Sequence, residues 1–115
     1  MAPQLTLNLV EGSVSFSFTA DAARDLQEAI AQLMQNLKGA TQAVTGGGKP
    51  SPKKPMEYRF SGDVFFEVFC NPNIWPSPFA AKVLITVRDE RIRLSTEAEL
   101  TRVIEDLNQY LEQVG

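Results

Sequence analysis

The stretch "MEYRFSGDVFFEVFC", Met56 to Cys70, decides how the rest of the chain must be arranged. Within it Val64, Phe66, Val68 and Cys70 alternate on one face of an extended backbone, while Phe65 and Phe69 fall on the other. A strand in a sheet covered on one side alternates apolar with polar residues, and this one is apolar on both. It is read as part of an antiparallel sheet with a core face and a second, aromatic face. The segment "KVLITVRDERIRL", Lys82 to Leu94, supplies the neighbouring hairpin. With Asp89-Glu90 as a two-residue turn, Val87 falls opposite Ile92 and Ile85 opposite Leu94. Leu84 then shares the second face with Thr86, Arg88, Arg91 and Arg93, so that face is aromatic at one end and arginine-rich at the other.

Working outward, "LTLNLVEGSVSFSFT" alternates with period two on both sides of Glu11-Gly12. A two-residue loop there pairs Leu9 with Val14, Leu7 with Phe16 and Leu5 with Phe18, all on one face, with Thr6, Asn8, Ser15 and Ser17 on the other. Leu26, Ile30, Leu33, Met34 and Leu37 recur at helical spacing and predict an amphipathic helix over residues 21–38, capped by Thr19 or Asp21 and stopped at Gly39. Burial of those five side chains is worth roughly 1.5 to 3 kcal/mol each before ordering entropy is subtracted. Residues 39–55, "GATQAVTGGGKPSPKKP", read as a flexible internal linker, because a glycine run and three prolines defeat helix and strand alike. At the other end Thr96 and Glu99 form a T-x-x-E capping box ahead of Leu100, Val103, Ile104, Leu107, Leu111 and Val114, predicting a second amphipathic helix. The expected fold is a single α+β domain: an antiparallel sheet of two hairpins plus one or two further strands, with both helices on one face.

Composition removes most function classes. The chain has 115 residues, enough to hide roughly two-thirds of its unfolded surface in one core. It contains no histidine and one cysteine, so Cys/His zinc sites, Ser-His-Asp triads and Cys-His dyads cannot be built from one chain. Cys70 continues the alternation of the core face and is expected to be a small buried residue, not a nucleophile. Glu105, Asp106 and Glu112 fall on the expected polar face of the last helix and are read, with Asp89 and Glu90, as solvated surface charge. Gly46 to Gly48 before Lys49 lack the spacing and the preceding strand of a phosphate loop. A catalytic residue, a cofactor and a metal are therefore not expected. The net charge of -3 argues against nucleic acid as the general partner. The start "MAPQLTLNLV" lacks a signal-peptide pattern, and no run approaches the roughly 20 apolar residues of a membrane span, so a cytoplasmic location without membrane contact is expected.

The stretch "CNPNIWPSPFAAK", Cys70 to Lys82, is stiffened by three prolines, which hold Asn71, Trp75 and Ser77 extended. It is a rigid crossing whose Trp75 and Phe79 are expected to turn inward and plug one end of the core. Three readings compete for the second sheet face. The linker, this loop or a strand bulge covers it; it is a protein interface, for a partner segment or for self-association; or it stacks single-stranded nucleic acid or holds a small apolar ligand. Coverage within the chain and the interface stand nearly level, the former slightly ahead; of the functional readings the interface leads, with Phe65, Phe69, Trp75, Leu84, Arg88, Arg91 and Arg93 as partner-binding residues.

Asn71-Pro72-Asn73, Trp75-Pro76-Ser77-Pro78 and the helix that follows Thr96 give the C-terminal half a resemblance to small cyanobacterial proteins. The two-halved α+β plan resembles the carboxysome assembly chaperones of the CcmS family. The resemblance implies capture of a carboxysome shell protein's terminal tail to assist shell assembly, in the service of photosynthetic carbon fixation. It carries no family binding residue onto this chain.

Overall fold

A computed structural model describes residues 4–45 and 54–114, with the backbone alone for 38–45. Strands β1 (Gln4–Leu9) and β2 (Gly12–Ser17) form a hairpin, followed by helix α1 (Ala20–Thr45). Four further strands, β3 (Met56–Ser61), β4 (Phe65–Cys70), β5 (Lys82–Arg88) and β6 (Arg93–Glu99), lead into helix α2 (Leu100–Val114). The fold is α+β, as the sequence predicts, with its six strands divided between two antiparallel sheets, β1-β2 and β3-β4-β5-β6.

Both expected hairpins form, each with its register displaced by two residues. Leu7 pairs with Val14 and Leu5 with Phe16, so the first loop is Val10-Glu11 and Gly12 belongs to β2. Val87 pairs with Leu94 and Ile85 with Thr96, leaving Asp89 to Ile92 as a four-residue loop. The Asp89 carboxylate closes that loop by accepting the amides of Arg91 (2.7 Å) and Ile92 (2.9 Å), an Asx turn that a plain Asp-Glu turn could not make. A shift of two keeps every side chain on its expected face, so alternation cannot detect it.

Both helices also depart from their expected ends. Thr19 caps α1 as predicted, its hydroxyl accepting the Ala22 amide at 3.1 Å. Gly39 does not stop the helix, which runs on to Thr45. An interior glycine costs only about 1 kcal/mol relative to alanine, less than a run of helix-compatible neighbours can carry. Of the expected linker, residues 39–45 are thus helical, and 46–53 lie outside the described residues. At the other end Thr96 and Glu99 are in β6, and α2 starts only at Leu100. Pairing with β5 from Lys82 to Arg88 outweighs the local capping signal.

The inner face of the four-stranded sheet carries Tyr58, Phe66, Val68, Cys70, Val83 and Ile85, all buried. Phe16 and Phe18 of the hairpin end stack against Phe66 at 4.7 and 5.7 Å, and α1 and α2 add Leu26, Leu33, Val103 and Leu107. A tight turn joins β3 to β4 at Gly62, where an added Cβ would stand 2.6 Å from the Phe60 ring. Cys70 is buried as expected, and burial pushes its thiol above the ordinary pKa.

Tyr58 ties the sheet to α1, donating to the Ala22 carbonyl at 3.0 Å. Burial, with a smaller contribution from the Asp25 carboxylate, pushes its pKa up to about 12. The native state therefore keeps a proton that the unfolded chain releases near 10, so stability is constant below that pH and falls as pH rises towards 12. Tyr58→Phe is expected to cost about 1 kcal/mol at neutral pH through the lost hydrogen bond. It should also flatten the alkaline fall, which denaturant titrations at pH 7 and above 10 will show.

Candidate functional site: the outer face of the four-stranded sheet

Alternation along β3 to β6 places a second set of side chains on the face away from the helices, and their register sorts them into rows. The first row is Glu57, Phe69, Leu84 and Glu97. The second is Arg59, Glu67, Thr86 and Ser95, and the third is Ser61, Phe65, Arg88 and Arg93. The β4-β5 ladder runs unbroken from Phe65 to Phe69, so no bulge turns the aromatics away.

The first row is the apolar end. Leu84 is 43 % exposed and Phe69 half-buried beside it. Together with Ile74 and Trp75 they line a shallow depression of about 310 Å³, bordered by the charges of Lys82 and Glu97. The crossing loop builds its wall. Asn71 holds a single 3-10 turn, Pro72–Ile74, by accepting both the amide (3.0 Å) and the side-chain nitrogen (2.8 Å) of Asn73. Asn71 and Trp75, each before a proline, are extended, with φ, ψ of -95°, 107° and -109°, 134°. Pro72 and Pro78 are buried, and Leu100 donates to the Ala81 carbonyl at 3.1 Å, so the loop is fastened at both ends. Trp75 packs half-buried against the edge of the core, whereas Phe79, expected inward, is 85 % exposed. The loop closes on Ala81, the buried alanine of that stretch, and leaves Phe79 outside.

The second row is a polar divide. Arg59 Nε donates to Glu67 Oε2 at 2.9 Å, and the Thr86 and Ser95 hydroxyls meet at 3.3 Å. The third row is the cationic end. The Arg88 guanidinium lies 4.4 Å from the centroid of the half-buried Phe65 ring, a cation-π contact. Arg88 and Arg93 are directly opposite each other across β5 and β6, an unfavourable pairing of like charges. Neither they nor Arg91 makes an ion pair among the described residues. The hydrogen bonds from the Arg91 and Ile92 amides hold the Asp89 carboxyl below its ordinary pKa, so it stays anionic as the loop's staple.

The structure thus gathers Phe69, Trp75 and Leu84 at one end of the face, and Phe65, Arg88 and Arg93 at the other. Arg91 belongs to the loop beyond, not to the sheet, because the register leaves it unpaired. Glu97 and Glu99 were hidden from sequence reading by the helix expected from Thr96; Glu57, on this face by alternation in β3, completes an acidic rim with them. A second surface was also missed: Ile30, Met34 and Ile104 line an apolar groove between α1 and α2.

Asp106 departs from its expected place on a solvated helix face, being 5 % exposed. Its two oxygens accept the Asn8 amide (2.8 Å) and the Asn8 side-chain nitrogen (2.9 Å). Asn8 lies at a position of β1 whose amide points away from β2, so the carboxylate occupies an open strand edge. Among the described residues, no three histidine, cysteine, aspartate or glutamate side chains gather as metal ligands, and no helix is long and apolar enough to cross a membrane. No protein-family model, no curated protein and no solved structure matches the chain.

Proposed function

We propose that the chain is a non-enzymatic protein-binding module that acts as an assembly factor, with the outer sheet face as its interface. The observation that carries this is the exposed apolar end of a sheet already covered on its other side, in line with arginines that make no ion pair among the described residues. Aromatic and arginine side chains are the residues that most often dominate binding energy, and burying Leu84, Phe69 and the Phe65 ring removes apolar surface from water. Both oxygens of the buried carboxylate, Asp106, accept from Asn8 and tie β1 to α2, a role in the fold that supports a function without catalysis.

The resemblance to carboxysome assembly chaperones gives the partner's class, a shell protein's terminal tail, and a carboxysome-associated location. An extended tail suits the face. Leu84 and Arg88 are four residues apart, about 13 Å along a strand, so a tail of four or five residues spans from the depression to the arginines. It would place an apolar side chain between Phe69, Ile74 and Leu84 and a carboxylate at Arg88 and Arg93.

Calorimetric titration with a synthetic shell-protein tail tests this. Phe69→Ala and Arg88→Ala are each expected to weaken binding at least about tenfold, the loss that marks a hot-spot residue, with the fold intact by circular dichroism. Unchanged affinity in both variants would sink the proposal. Nucleic acid is the other outcome of the same assay: single-stranded probes that bind with steep salt dependence would replace protein as the partner.

A further inference from the structure

We infer that, in the absence of another partner, the outer face is closed by a second copy of this chain in one defined orientation. The inference rests on the reading of that face as a protein interface and names its occupant. A closed dimer presents the same patch from both copies, so residue i meets residue j and j meets i. For two sheets packed face to face, the two-fold axis lies between them, either along the strands or across them.

The charges decide between the two. An axis along the strands would set Glu57 of one copy against Glu97 of the other, like charge on like charge. An axis across the strands, along the central row of Glu67, Thr86 and Ser95, exchanges the first row with the third. Glu97 then lies over Arg93 of the second copy, Phe69 over its Phe65, and Leu84 over the aliphatic stem of its Arg88. The match is metric as well as chemical. Glu97 and Arg93 are each two residues from Ser95, and Phe69 and Phe65 each two residues from Glu67, so both pairs lie about 7 Å on either side of the axis.

The centre of the face suits such a contact. Thr86 and Ser95 are small. Arg59 and Glu67 each face their own counterpart across the axis, but the 2.9 Å ion pair between them makes each facing unit neutral. Glu57 and Glu97, which the other axis would oppose, make no ion pair among the described residues. Beyond the third row, the loop carrying Arg91 comes level with Glu99 of the second copy, two residues past Glu97. Arg93, which faces the like charge of Arg88 across β5 and β6 in the single chain, gains Glu97 of the second copy as a counter-charge. Four strands of six or seven residues cover at most about 19 by 24 Å, or roughly 900 Å² counting both copies, below the size of a permanent interface. The dimer is therefore weak and concentration-dependent, and a tail that binds the same face must displace it.

Sedimentation velocity over a concentration series tests the inference with exposed, fold-neutral variants. The natural chain should dimerise with increasing concentration. Arg93→Glu and Glu97→Arg should each weaken the dimer at least about tenfold, because each reversal strikes both symmetric contacts, a loss of about 1.4 kcal/mol. An equimolar mixture of the two variants should restore it, since one chain then carries acidic side chains at both positions and the other carries basic ones at both. A chain that stays monomeric at about 1 mM, the weak limit of specific association, overturns the inference. So does a dimer indifferent to Arg93→Glu, which would place the contact elsewhere, as in the groove between α1 and α2. Neither result touches binding of the shell tail, which the calorimetric titration decides by itself.

Discussion

Phe18→Ala is expected to remove about 3 to 5 kcal/mol of stability, a large share of the roughly 5 to 15 kcal/mol that holds a domain together. Phe18 is 1 % exposed and sits between the end of β2 and the cap of α1. Its ring touches four others: Phe60 at 4.8 Å, Phe66 at 5.7 Å, and Phe16 and Tyr110 at 5.8 Å. These belong to the hairpin, to two strands of the larger sheet and to α2, so one side chain binds every layer to its neighbour. Most of these contacts are edge-to-face, the geometry that aromatic rings prefer. The truncated site cannot collapse without moving an element, and the cavity adds to the lost transfer energy. Phe18→Leu keeps most of the volume and should cost less than half as much. Urea unfolding of the three proteins measures both effects, and a loss below about 1 kcal/mol for alanine would show that the rings do not form the joint described.

Asp106→Ala is expected to cost about 3 kcal/mol and to lower the melting temperature by more than about 10 °C. The substitution strips two charge-assisted hydrogen bonds and leaves the Asn8 amide of β1 facing a methyl group. Asp106→Asn should fare better, because its carbonyl still accepts the main-chain amide while the Asn8 side chain turns to present its own oxygen. A thermodynamic cycle with Asn8→Ala separates the side-chain bond from the main-chain one: the second substitution should cost little once Asp106 is gone. An Asp106→Ala chain as stable as the natural one would mean that water replaces the carboxylate at the strand edge at no cost.

Asp106 also marks the boundary of what the residues reveal by themselves. Its place on α2 is a polar position by helical spacing, and only the approach of β1, 98 residues away in sequence, makes it an interior group. No local pattern encodes that encounter. Alternation and helical spacing, by contrast, are local, so the strands, the two helices and the face each side chain occupies are legible in the sequence. Register is not, because moving Val87 from Ile92 to Leu94 leaves every apolar residue on the same side. The consequence reaches the candidate site. Alternation finds Leu84, Phe65, Phe69 and Arg88, but it puts Arg91 in the sheet and the capping signal puts Glu97 in a helix. The acid-base symmetry of the face emerges only with the correct pairing.

Gly39 and the Thr96-x-x-Glu99 motif teach the same lesson from the other direction. Each is a valid local signal for a helix end, worth about 1 kcal/mol or less, and each is overridden. Seven residues of strand pairing between β5 and β6 decide where α2 begins.

Amide chemical-shift mapping of the isotope-labelled chain, as shell-protein tail is added, shows whether the outer sheet face is where this chain meets protein. Shifts should concentrate at Phe65, Phe69, Leu84, Arg88 and the loop around Trp75, with the helices unmoved. Shifts confined to Ile30, Met34 and Ile104 in the groove between α1 and α2, or none at saturating tail, would contradict that placement.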